Sequence, residues 1–78
     1  MLGLVRMAQG LYLDAVKNFR TCLKIKPTMR KAHFKIAVSY LKLRKSGLAR
    51  RHARKAKRLG WNPQEIDQLM NDINNESR

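Results

Sequence analysis

Between Asp14 and Glu65 the chain has no acidic side chain. Its five acids are Asp14, Glu65, Asp67, Asp72 and Glu76. All of its 18 Lys and Arg except Arg6 and Arg78 fall inside the acid-free stretch, and the net charge is +13. The central residues therefore lack a carboxylate pair for acid–base chemistry, and His33 and His52 have no acid near them in sequence to orient them as bases. Neither a catalytic residue, nor a cofactor, nor a metal ligand set is expected. One cysteine, Cys22, excludes an internal disulfide framework and fits a reducing compartment. No run reaches the roughly 18–20 apolar residues of a membrane span, and the opening Met1 to Val5 is too short for a secretory signal. These absences point to an intracellular protein, with the cytoplasm as first expectation and the nucleus or an organelle next.

What is present is helical. Ala, Leu, Lys, Arg and Met are plentiful, while alternating apolar and polar runs are nearly missing. With 78 residues the chain makes at most one small domain, which buries only about 60% of its unfolded surface. Leu2, Val5 and Ala8 are spaced for one face of a short first helix that Gly10 ends. A second helix starts near Asp14, repeats Ala15, Val16, Phe19, Cys22 and Leu23 at helical spacing, and stops at Pro27. A third runs from Arg30 to Leu43, and a polar turn, residues 44–47, leads to a fourth from Leu48 to Leu59 with Gly60 as its left-handed end. Asn62 as N-cap, Pro63 as first helical residue and Glu65 three places on mark the start of a fifth, with Trp61 positioned to staple against Ile66. Ile66, Leu69, Met70 and Ile73 give that helix its apolar face.

Two helices carry the pattern that matters most. Around Arg30–Leu43, residues Ala32, Ile36, Ala37, Tyr40 and Leu43 gather on one side at 100° per residue. Lys31, Lys35 and Lys42 share another side, bordered by Phe34, Val38 and Leu41. Around Leu48–Leu59, Ala49, Ala53 and Ala56 form a narrow small-residue stripe, with Leu48, His52 and Leu59 extending the arc. Arg50, Arg51, Arg54, Lys55, Lys57 and Arg58 take the whole remaining face. Small alanines allow close helix approach, so the six cations must meet water or a partner.

Offset by roughly 34 residues, Leu2 pairs with Ile36, Gly3 with Ala37, Ala15 with Ala49 and Cys22 with Ala56, each matched in size and each on a packing face. With Gly10, Tyr12, Ala15, Phe19, Cys22 and Pro27 at their expected places in the stretch Gly10 to Pro27, the chain resembles the tetratricopeptide repeat family. His33 stands where that family often has Trp, Ala53 where it has a large aromatic, and Trp61 where it has Pro. The resemblance implies an all-α fold of antiparallel helical hairpins in an α-solenoid: a truncated first repeat over 1–29, a second repeat over 30–61, a capping helix over 62–75 and a frayed tail over 76–78.

The resemblance also implies a non-enzymatic protein-interaction module. Its groove would be lined by the leading helix of each repeat, here Lys31, Phe34, Lys35, Val38, Leu41 and Lys42, and would take an acidic and apolar segment of a partner protein. Lys31 and Lys35 resemble half of a carboxylate clamp of the kind that holds acidic tails of heat-shock chaperones, with Lys where the clamp has Arg. The basic face of Arg50, Arg51, Arg54, Lys55, Lys57 and Arg58 supports a second partner class, RNA or a ribonucleoprotein. Aromatics are only 6% of the chain and none interleaves with those cations, so stacking-based reading of single-stranded bases is not expected. Because stacked repeats need about three units to stand alone, the N-terminal edge at Leu2, Leu4, Val5 and Met7 is expected to be covered by further repeats, a second copy or another subunit.

Overall fold

The computed structural model describes residues 2–76, with side chains described from Gly10 onward, so the expectations for the N-terminal edge and for residues 77 and 78 lie outside the described parts. Four helices follow one another: α1 (Leu2–Ile25), α2 (Arg30–Lys42), α3 (Ser46–Arg58) and α4 (Pro63–Glu76). No strand occurs among the described residues. Each helix packs on the next, and α2 additionally reaches α4, so α2 is the one helix that touches all the others.

Two sequence expectations need correction. The chain does not break at Gly10; α1 runs through it as one helix of 24 residues. A helical glycine costs about 1 kcal/mol against alanine, and the leucines and alanine around it outweigh one such penalty. Asp14 is consequently mid-helix instead of at a helix start. The other correction is at Gly47, which lies inside α3 because that helix begins at Ser46. The turn is shorter than residues 44–47 and falls on Arg44, whose φ of 61° is left-handed.

The helix ends explain why the loops are so short. After α2, the Lys45 N–H donates to the Tyr40 carbonyl at 2.8 Å and the Arg44 N–H to that of Leu41 at 3.0 Å, the paired bonds of a Schellman motif. The same pair closes α3, from Trp61 to Ala56 at 3.0 Å and from Gly60 to Lys57 at 3.1 Å, with Gly60 at φ 94°. Helix α4 opens as its sequence signals: the Asn62 Oδ1 accepts from the Gln64 and Glu65 N–H groups at 2.9 and 3.3 Å. Between α1 and α2, the Met29 N–H donates to the Lys26 carbonyl at 3.1 Å, folding Pro27 and Thr28 into a tight turn.

The core is built from α2, α3 and α4. Ala37, Leu41, Ala49, Ala53, Leu69 and Ile73 form one buried cluster, with Phe34, Val38, Tyr40 and Met70 packed against it. Ala49, Ala53 and Ala56 are all fully buried, so α3 approaches its neighbours along the small-residue stripe. Ile36, Ile66 and Ile73 are the large side chains sealed from solvent, each contributing about 1.5–3 kcal/mol by burial. From α1, Val16 is the buried hydrophobic contribution among the described side chains, while Leu11, Leu13 and Ile25 are exposed.

Candidate interaction surfaces

The cations of α3 sort themselves by where the alanine stripe points. With that stripe buried, Arg51, Arg54, Lys55, Lys57 and Arg58 are exposed, and Arg50 is half-buried because it turns toward α4. There its Nη2 donates to the Asn74 Oδ1 at 2.9 Å. Arg50, Arg51, Arg54, Lys55 and Arg58 line a hollow of about 480 Å³ along the outer side of α3, together with Gly47, His33 and His52. Lys57 does not border it.

A second hollow, of about 530 Å³, adjoins the first and shares Arg51 and His52 with it. It lies between the C-terminal half of α1 and the start of α3, over Tyr40 of α2. Arg20, Lys24, Arg51 and His52 supply its basic groups, and Leu23, Tyr40 and Leu48 supply half-buried apolar surface. No carboxylate lines either hollow. The α1 contribution had no motif to announce it; its signal in the sequence was only the pair Arg20 and Lys24 at one-turn spacing beside the apolar Leu23.

Where the two hollows meet, His33 and His52 form a bonded pair. Their Nδ1 atoms are 3.3 Å apart, and the His33 Nε2 is 3.1 Å from the Pro27 carbonyl. That carbonyl can only accept, so His33 carries its proton on Nε2 and leaves its Nδ1 lone pair to accept from the His52 Nδ1–H. The rings are stacked at 5.5 Å, and Tyr40 lies 5.7 Å from the His52 ring. Burial lowers the His52 pKa first, and His33, Arg51 and Arg20 lower it further. The sequence placed both histidines among packing or rim positions; their pairing needed the crossing of α2 and α3. A hint was available, because His33 falls inside the apolar arc between Ile36 and Ala37 on the helical wheel.

The residues expected to form a groove on α2 are divided. Phe34, Val38, Leu41 and Lys42 do line one hollow, of about 260 Å³, but its other wall is α4 with Glu65, Gln68, Leu69 and Asp72. That wall brings two acids to a groove expected to be cationic. Phe34 also stacks on Trp61, with ring centroids 4.8 Å apart, so much of its surface is spent within the fold. Lys35 is exposed, and Lys31 borders a different hollow near the α1–α2 turn. Among the described residues no group of three or more His, Cys, Asp or Glu is arranged to hold a metal ion, and no helix is long and apolar enough to cross a membrane.

Compared with family models, with curated proteins and with solved structures, the chain finds no match.

Proposed function

We propose that the chain is a non-enzymatic interaction module built on tetratricopeptide-like helical hairpins, and that it docks an acidic, amphipathic segment of a partner protein on its outer side. The packing order supports the hairpin reading. In such an array the leading helices contact one another along one layer, and α2 touches α4 in that way while α1 and α3 flank them.

The observation that carries the binding reading is the double hollow sharing Arg51 and His52. Cations along the rims pair with carboxylates, and the apolar patch of Leu23, Tyr40 and Leu48 gains burial against the partner's apolar side chains. A phosphodiester backbone would use the rims and leave that apolar patch idle, which is why the acidic peptide is preferred over RNA. The groove between α2 and α4 is the weaker candidate, because Glu65 and Asp72 oppose an acidic ligand there. A half clamp at Lys31 and Lys35 is weaker too, because Lys lacks the forked geometry of Arg.

The test is a pair of titrations, one with an amphipathic acidic peptide and one with structured RNA, each at several salt concentrations. The peptide is expected to bind and to lose at least tenfold in affinity on R51E/R54E. Arg50 is left intact because its bond to Asn74 ties α3 to α4. The variant K31E/K35E is expected to retain binding. Peptide binding that survives R51E/R54E overturns the assignment of this face. Tighter binding of RNA, with a log–log salt slope of about −4 or steeper, shifts the reading to the ribonucleoprotein alternative.

A further inference from the structure

At the end of the bundle where α1 turns into α2 and α3 turns into α4, the two loops enclose a hollow of about 390 Å³. Lys26, Thr28, Met29, Arg30 and Lys31 come from the first loop and the start of α2; Leu59 and Trp61 come from the second. Three of the seven side chains are cations, one is a hydroxyl and none is an acid.

The loop that presents them is held in place. The Met29 N–H closes the turn on the Lys26 carbonyl at 3.1 Å, and the His33 imidazole holds the Pro27 carbonyl at 3.1 Å. On the opposite side, the Arg30 Nη1 lies 3.5 Å from where a Cβ on Gly60 would stand, so the guanidinium rests against the α3–α4 loop. Trp61 borders the same hollow, and its indole N–H is buried with no acceptor. A buried donor without a partner is a standing cost to the fold.

We propose that this hollow binds a phosphate-type oxyanion. A tetrahedral dianion matches the chemistry of the site, which offers two ammonium groups, a guanidinium fork and a hydroxyl against no competing carboxylate. Met29, Leu59 and Trp61 supply apolar surface beside it, suited to the carbon that carries a phosphate monoester. This site lies apart from the α3 face and shares no residue with it. It is therefore independent of the peptide-docking proposal.

Trp61 is the only tryptophan, so its fluorescence reports on this hollow directly. The probes are inorganic phosphate and a short phosphoserine peptide, each titrated at pH 7.5 and constant ionic strength, with chloride and the unphosphorylated peptide as controls. A saturable change with phosphate and none with chloride is expected. K26Q/R30Q should weaken it at least tenfold, whereas R54Q/K57Q, which removes the same charge from α3, should leave it unchanged. Should K26Q/R30Q lose its helical circular dichroism, K26Q alone, at an exposed loop position, is expected to weaken binding at least threefold. A phosphopeptide that binds more tightly than inorganic phosphate assigns the site to a modified side chain; the reverse order assigns it to the free anion. A change that never saturates, or that is the same in K26Q as in the unmodified chain, overturns the proposal.

Discussion

Arg44 occupies a backbone conformation that suits glycine, since its φ is 61° at the end of α2. Left-handed geometry costs an L side chain about 1–2 kcal/mol, and part of that returns as lower chain entropy when the residue is not glycine. Arg44→Gly is therefore expected to stabilise the fold by about 0.5–1 kcal/mol, raising Tm by about 2–8 °C for a chain of this size, measured by thermal circular dichroism. His52 is the other residue whose environment sets a measurable behaviour. Its pKa is lowered in the fold by burial, by His33 and by two arginines. The unfolded chain, with an ordinary value near 6.5, takes up the proton first as pH falls. Folding stability is then complete above about pH 6.5 and declines as the pH drops from there toward the folded value. A Tm that falls between pH 7.5 and pH 5, with a shallower fall in His52→Gln, is the expected result.

At the scale of helices, Gly10 separates two architectures. Nothing lies within 4 Å of a Cβ added there, and the residue is helical. Gly10→Ala should consequently stabilise by about 1 kcal/mol; had the chain turned at this point, the same change would destabilise it. Equilibrium urea unfolding measures the sign. The sequence was read more truly wherever the chemistry of one residue makes the helix end. Asn62 and Pro63 start α4 as expected, and Gly60 ends α3 in the positive-φ conformation predicted for it. The apolar arcs of α2 and α3 were legible for the same local reason, since Ala32, Ile36, Ala37, Ala49, Ala53 and Ala56 are all fully buried. Where several weak preferences compete, the glycine at 10 was over-read as a break, and the start of α3 was placed two residues late at Leu48. The surfaces were least legible. Lys31, Lys35 and Lys42 share one side of α2, but whether they share a groove depends on α4, which delivers Glu65 and Asp72 to the same place. The hollow between α1 and α3 depends on the α2 crossing, which no periodicity within one helix encodes.

For the whole molecule, the charge of +13 is confined to a small volume, with a Cα radius of gyration of 12.5 Å. At 10 mM salt the screening length is about 30 Å, so every cation repels every other across the fold; at 150 mM it is about 8 Å. Self-repulsion of this kind destabilises the compact state. Raising NaCl from 10 to 150 mM is expected to increase Tm by several degrees, roughly the effect of 1 kcal/mol, and R54Q/K57Q should show a smaller increase in the same differential scanning experiment. Helix α1 adds a different consequence. Its 24 residues extend about 36 Å, against about 20 Å for the 13 residues of α2, its one neighbouring helix. Among the described helices α2 packs against three others, so its amide protons are shielded from more sides than those of α1. Deuterium should therefore enter α2 last, so that the helix at the centre stays closed while its neighbours open.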